Sequence, residues 1–357
     1  MPKETIIAGL DIGTCFVRTV VAKIRADQSK PQIIGIGQSP SFGLRHGVVV
    51  DVDDTVKSIT KSVQEAERSS GTSIERVVFS ISGNHIISKP TKGTVAVSRA
   101  DGEISKEDVD RVINAASTIP VPQNREIFHT IPRGFSVDNQ NSIKDPVGMN
   151  GVRLDIDALI VEGVSPYIKN LTKCISDAGL EKDEMVAVSL ASSQSALNKR
   201  QKELGVLSLD LGGGTVNMAI FEEGNIIHSC VLPIGASHIT NDIAIGLRGS
   251  IDLAEKVKLE YGSAIASEIG KKDIIDLSKL GLGESGTVRR SDVVDMIEAR
   301  LVEILELVNK ELKVIDRQGL LPAGVVLLGG GAKMPGLVDL TKNILRLPAQ
   351  IGFPFRN

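Results

Sequence analysis

Two aspartates stand just ahead of glycine turns in matched settings. Asp11 lies in IIAGLDIG (Ile6 to Gly13), followed by Thr14, Cys15 and the alternating Val17, Thr19 and Val21. Asp210 lies in VLSLDLG (Val206 to Gly212), followed by Gly213, Gly214, Thr215 and the apolar Met218-Ala219-Ile220. Each reads as a buried strand, an Asp-x-Gly turn and a second strand, which is a β-hairpin. Glycines in such turns let backbone N–H groups face an anion without obstruction by a Cβ. Two turns from opposite sides can clamp one polyphosphate. A carboxylate at the base of each can hold Mg²⁺ through water, because that ion dehydrates reluctantly. One Asp-x-Gly hairpin is an ordinary turn; two copies about 200 residues apart are too distant for a solenoid repeat and fit two similar halves facing one cleft.

A third element supports the pair. GVVLLGGGAKMPG (Gly324 to Gly336) is a buried strand, a run of glycines and the entry to a helix near Leu337. A glycine turn before a helix N-terminus lets a phosphate or planar group lie against backbone. On its own it is also what any strand-to-helix connection looks like. Gly281 to Gly286 matches G-x-G-x-x-G but follows a helix-like stretch, so it fails the context of a dinucleotide site, and no Walker A pattern occurs.

These turns need elements to hold them. Each hairpin is followed by a third strand ending in Ile-Gly, at Ile33 to Gly37 and Val231 to Gly235. Helices are expected at Asp53 to Ser70, from Ser105 as a capping box with Asp108, from Ser165 as an N-cap before Pro166 to Gly179, and at Asp292 to Arg317. The last carries Val294, Ile297, Leu301, Ile304, Leu305, Val308, Leu312 and Ile315 at steps of three and four, a core stripe. Asp51, Asp53 and Asp54 read as charges favouring a helix N-terminus rather than as a metal run. Between about Gly83 and Gly163 the pattern changes to short strands, one helix and a Pro-rich polar loop from Ile119 to Asn150, an inserted small α+β domain.

Composition narrows the function. The 357 residues suggest two to four domains, with 41% hydrophobic and 24% charged residues as in ordinary globular proteins. A net charge of -3 gives no nucleic-acid footprint, and no apolar run spans a bilayer. The N-terminus leads straight into a strand, so no signal peptide is expected. Three scattered cysteines (Cys15, Cys174, Cys230) point to a reducing cytoplasm with neither disulfide frame nor zinc site.

The paired hairpins and the Gly-Gly-Gly-Ala turn resemble the phosphate and adenosine motifs of the actin, Hsp70 and sugar-kinase superfamily. Three stretches are closer still to the FtsA family of bacterial division proteins: Ile131 to Val161, Pro233 to Leu247 and Ala254 to Gly262. The resemblance runs from about Ile6 to the end, and Asp145-Pro-Val-Gly-Met149 is its most specific part. It implies an actin-like α/β fold: two duplicated RNase H-like halves around a nucleotide cleft, with the inserted α+β (SHS2-like) domain. The expected division is 1–82 and 165–203 for subdomain 1A, 83–164 for the inserted 1C, 204–237 and 292–357 for 2A, and 238–291 for 2B.

By position, the resemblance makes Asp11 and Asp210 the Mg²⁺-side carboxylates. Gly13, Thr14 and Cys15 take one side of the ATP phosphates, and Gly212, Gly213, Gly214 and Thr215 the other. Glu255 and Lys258 hold the ribose, or are simply a surface i,i+3 ion pair. Gly330, Gly331 and Lys333 form the adenine shelf. Gln194 orients water, or is an ordinary polar helix residue. Many family members have a lysine where this chain has Phe16, with Arg18 alongside as a substitute, and an aspartate where it has Asn217. Both bear on hydrolysis more than on binding, so at most a slow ATPase is expected, with nucleotide as a switch.

The family implies a filament-forming scaffold that links FtsZ and other division proteins to the cytoplasmic face of the membrane. The chain stops at Asn357, so the C-terminal amphipathic membrane helix and the remainder of 1A are expected to be absent from it. The alternatives are a PilM-like pilus adaptor, which the inserted-domain sequence disfavours, and a sugar-kinase-type phosphotransferase, for which no spare aspartate serves as general base.

Overall fold

The computed structural model describes residues 4–25, 31–270, 272–281 and 286–355. The centre of the Gly281 to Gly286 motif, the first three residues and the last two lie outside the described residues.

The first matched hairpin is β1 (Glu4–Ile12) and β2 (Phe16–Arg25), extended by β3 (Gln32–Pro40). A small ribbon of β4 (Leu44–Arg45) and β5 (Val48–Val49) leads to helix α1 (Val52–Ser70). Asp51 caps α1 by accepting from the Asp54 N–H, and Asp53 and Asp54 occupy its first turn, so these acids serve the helix. Strand β6 (Arg76–Ile81) then runs parallel to β1.

Next come β7 (Ile87–Ala96), α2 (Lys106–Ser117), β8 (Arg125–Val137), β9 (Gln140–Ile143) and β10 (Arg153–Val164). The capping box of Ser105 and Asp108 is present. The stretch expected as a loop from Ile119 to Asn150 instead contains β8 and β9. Of its prolines only Pro132 lies in a strand, and there β8 is bulged against β10; Pro120, Pro122 and Pro146 stay outside the strands. The helix α2 packs on this sheet around Ile104, Val112, Phe135, Leu154 and Ile156.

The chain returns through α3 (Ser165–Asp177), β11 (Glu181–Ala187), α4 (Val188–Ala196) and α5 (Lys199–Leu204). Ser165 is the first helical residue rather than the cap: Val164 holds the cap position, without a side-chain bond, and the Ser165 N–H goes to the Asn124 carbonyl.

The second hairpin is β12 (Val206–Leu211) and β13 (Val216–Glu222), extended by β14 (Asn225–Leu232), which ends before the expected Gly235. Then follow α6 (Ala236–Leu247), α7 (Ile251–Tyr261), the short β15 (Ile274–Asp276) and β16 (Thr287–Arg289), and the long helix α8 (Arg290–Val314). Strand β17 (Val325–Leu328), α9 (Leu337–Leu345) and β18 (Ala349–Ile351) close the chain. The α8 stripe from Val294 to Leu312 is buried as its spacing requires.

The duplication is now visible in strand order. One sheet runs β11-β6-β1-β2-β3, and the other begins β18-β17-β12-β13-β14. Both have an antiparallel hairpin plus third strand, flanked on the first strand's other side by two parallel strands. The inserted strands continue the second sheet as β7-β10-β8-β9, joined to β14 by one bridge, Cys230 to Ile87. Ser88 reinforces that seam: its hydroxyl donates to the Ser229 carbonyl at 2.7 Å and accepts from the Ser229 N–H at 2.8 Å. Among the described residues, no helix is long and apolar enough to cross a membrane.

Candidate functional site

The two Asp-x-Gly turns close alike. The Gly13 N–H donates to the Phe16 carbonyl at 3.1 Å, and the Gly212 N–H to the Thr215 carbonyl at 3.0 Å. Asp11 stands opposite Arg18 across its hairpin, and Asp210 opposite Asn217 across the other. The two turns pack against each other. Cys15 Sγ lies 3.3 Å from Ser237 Oγ, and a Cβ on Gly213 would fall 2.2 Å from that sulfur. A Cβ on Gly214 would fall 2.7 Å from Thr14 Oγ1. Only glycine leaves room for the Cys15 and Thr14 side chains this close to the second turn.

The carboxylates share this place. The Ser80 hydroxyl donates to Asp11 at 2.7 Å, and the Arg18 guanidinium lies 3.9 Å from the other Asp11 oxygen. Burial, then the nearby charge of Asp11, push the Asp210 carboxyl up to about 6, against a smaller lowering by Arg18. Two carboxylates crowded in this way, beside glycine turns, are a fitting donor set for a divalent cation held through water. Gly329 packs directly on Asp210; its φ of +80° and a Cβ position 2.4 Å from Asp210 Oδ1 both demand glycine.

From the second turn a continuous path leads to the third element. The Ala236 and Ser237 N–H groups at the start of α6 donate to the Gly212 and Gly213 carbonyls, each at 2.9 Å. One turn on, Thr240 donates to Glu255 at 2.5 Å and accepts from Lys258 Nζ at 2.7 Å, while Lys258 also reaches Glu255 at 2.6 Å. Lys258 is buried while Glu255 is 43% exposed, so the pair straddles the boundary between core and solvent. Past α7, the Ala264 N–H meets the Pro335 carbonyl at 2.7 Å. The turn Gly331–Lys333 rests its Gly331 on Leu211, and Gly330 faces open space. Asp11, Gly13, Thr14, Cys15, Asp210, Gly212 to Thr215, Glu255, Lys258 and Gly330 to Lys333 thus form one connected region.

Gln194 stands apart. Its amide oxygen accepts from Lys202 Nζ at 2.8 Å, and it lines a cavity of about 640 Å³ with Leu190, Phe221 and Gly224. Phe221 is four residues along β13 from Asn217, the partner of Asp210, roughly 13 Å at strand rise.

Several contributors have no signal of their own in the sequence. Ser82 Oγ donates to Asn217 at 2.6 Å and lies 3.2 Å from Thr215 Oγ1, tying the end of β6 to the second hairpin. His46, on the β4–β5 ribbon, stacks on His238 with ring centroids 5.3 Å apart, and its Nδ1 lies 3.3 Å from the Gly214 carbonyl. The only hint is Ser80-Ile-Ser82, two hydroxyls at period two leading into Gly83.

Comparisons with known proteins bear on the family and the fold. Residues 207–357 match the family model "Cell division protein FtsA", and residues 83–162 match "SHS2 domain inserted in FTSA". The chain is 38% identical to the cell division protein FtsA of Pseudomonas aeruginosa over 98% of its own length and 83% of the relative. Against that of Bacillus subtilis it is 38% identical, covering 99% of this chain and 80% of the relative, and against that of Escherichia coli K12 32%, covering 98% and 84%. Among solved structures, a PilM-PilN type IV pilus biogenesis complex aligns with a TM-score of 0.68 at 19% identity, over 96% of this chain and 87% of the other. MreB5 of Spiroplasma citri bound to ADP aligns at 0.56 and 14%, over 98% and 92%. These likenesses show the actin-like fold, and the likeness to PilM is one of fold alone. At 32–38% identity over nearly its whole length, with the inserted domain in place, the chain belongs to the FtsA family of cell division proteins.

Proposed function

We propose that this actin-like protein of the bacterial division ring is a nucleotide-gated scaffold. It holds ATP and Mg²⁺ between its two hairpin turns, assembles with further copies of itself, and links FtsZ to the cytoplasmic face of the membrane at the division site. The observation that carries the reading is the pair of equivalent Asp-x-Gly hairpins meeting turn to turn, with the charge of Asp11 felt at Asp210.

Gly13, Thr14 and Cys15 would take one side of the polyphosphate, and Gly212 to Thr215 the other. Glu255 and Lys258, locked to α6 through Thr240, would present the ribose site, and Gly330, Gly331 and Lys333 the base shelf. A bound divalent ion would neutralise the charge that Asp11 and Asp210 bring together. The turns touch directly across the two halves, so occupancy of the cleft would change how the halves meet, the form a nucleotide switch takes. Gln194 is given no part in this switch, because nothing draws it toward the carboxylates. The subdomain division proposed is 1A at 1–82 and 165–203, 1C at 83–164, 2A at 204–237 and 292–357, and 2B at 238–291.

Thermal melting with ATP and Mg²⁺, followed by sedimentation, tests the proposal. A ligand of the native state raises the melting temperature. No shift at millimolar ATP refutes the cleft, and a shift without pelleting refutes the scaffold.

A further inference from the structure

Away from the nucleotide region, β14 and α8 bring three ligand-type side chains together. His228 and Cys230 are two residues apart on β14 and so project from the same face, the one that α8 covers. Glu311 comes down from the last turns of α8. One nitrogen, one sulfur and one carboxylate oxygen from these residues lie within 4.8 Å of one another. His228 Nε2 is 3.5 Å from Glu311 Oε2. Two such ligands on a tetrahedral Zn²⁺, each at 2.0–2.1 Å, would stand about 3.3 Å apart.

A second observation points to a ligand. Among the described residues, His228 Nε2 is buried from solvent and makes no well-formed hydrogen bond, the Glu311 oxygen standing 3.5 Å away. A ring nitrogen that aims its lone pair at a carboxylate is repelled by it, and one that aims an N–H there makes too long a bond at 3.5 Å. A cation between the two groups resolves both cases. The Cys230 thiol faces the Glu311 carboxylate and, on its other side, the Met218 sulfur at 3.8 Å.

We propose that His228 Nε2, Cys230 Sγ and Glu311 Oε2 form a Zn²⁺ site. On binding, the thiol S–H bond is replaced by an S–Zn bond and its proton passes to solvent. One thiolate and one carboxylate balance the charge of the ion, which suits a half-buried place. Mixed sulfur, nitrogen and oxygen donors favour zinc over Mg²⁺. Glu311 is 30% exposed, which gives the ion a path in and leaves the fourth position to water. The ion would pin β14 to α8 on the strand that carries the Cys230–Ile87 bridge to the inserted sheet. It would thus stiffen the seam rather than act on nucleotide.

The test uses the full chain, stripped with chelator and free of nucleotide. Co²⁺ as the probe should bind one per chain and give a thiolate-to-metal charge-transfer band. That band should vanish in Cys230→Ser and persist in Cys15→Ser. Titration with Zn²⁺ against a chromophoric chelator should show affinity reduced by about a hundredfold in His228→Gln and in Glu311→Gln. Wild-type chain provides a measurement that no variant's folding can spoil: Zn²⁺ should protect Cys230 from alkylation, read by peptide mass spectrometry. Absent stoichiometric binding, a band that follows Cys15, unchanged affinity in His228→Gln, or an unprotected Cys230 would each overturn the site.

Discussion

Asp210 and Asp11 come from hairpins 199 positions apart in the chain, yet the charge of Asp11 is felt at Asp210, whose carboxyl sits at about 6. Burial is the larger cause and the neighbouring carboxylate the second. The cost of ionising Asp210 is thus built into the fold before any cation arrives.

Asp210→Asn removes that cost. In the absence of metal, at pH 7.5, the variant should melt at a higher temperature than the parent. The Mg²⁺-dependent part of the ATP-induced shift should shrink at the same time. Calorimetry with and without Mg²⁺ measures both, and a variant that melts lower while keeping the full Mg²⁺ response would contradict the assignment.

Gly213→Ala places a methyl carbon 2.2 Å from Cys15 Sγ. Overpacking of this kind typically costs about 1–3 kcal/mol. Cys15→Ala in the same chain should restore much of the loss, since the clash is with the sulfur. Denaturant unfolding of the two single variants and the double variant gives the coupling directly; simple additivity would mean that the turns do not press together in solution.

Lys258→Ala breaks bonds to Glu255 and Thr240 at once, and the loss should be about 1–3 kcal/mol because a charged donor is involved. If the pair belongs to the ribose site, ATP should bind more weakly while inorganic triphosphate binds as before. Calorimetric titration with the two ligands separates a ribose role from a purely structural one.

His85 lies at the entry to the inserted segment, and its Nδ1 accepts from the Val164 N–H at the exit, at 3.2 Å. Burial, then the Arg125 charge, lower its value to about 4 from 6.5. Between those values the unfolded chain binds more protons than the folded one, so stability falls as pH drops from 6.5 to 4. A shift of this size corresponds to roughly 3 kcal/mol at most. His85→Gln keeps an acceptor but cannot titrate. Its melting temperature should therefore vary less with pH than the parent's across that window.

Removal of the whole inserted segment, 83–162, should not leave a folded remainder. Ile86 and Val161 belong to the core around β1 and α1, and Leu159 to the one between α4 and β13. A deletion confined to 93–156, closed by a short Gly-Ser linker, spares them. It should retain a cooperative melt and the ATP response but lose pelleting. A cooperative melt after the larger deletion would show that the cores close without them.

Much of the fold can be read from the chain because local patterns report local physics. The apolar run before each Asp-x-Gly turn, the Asp51 and Ser105 caps and the α8 stripe each depend on residues within a few positions of one another. The turn glycines are legible for the same reason, and they locate most of the proposed cleft. Tertiary structure alone decides what meets what across the halves. That Gly213 must be glycine depends on Cys15, and that Lys258 is buried depends on Thr240 in a different helix. Gln194 shows the limit from the other side: the family resemblance implies a water-orienting role for it, but the fold pairs it with Lys202 and sets it in a cavity with Phe221, Gly224 and Asn225. His228 and Cys230 read as scattered residues until α8 lays Glu311 over them, because a ligand set spread across a strand and a helix has no spacing of its own.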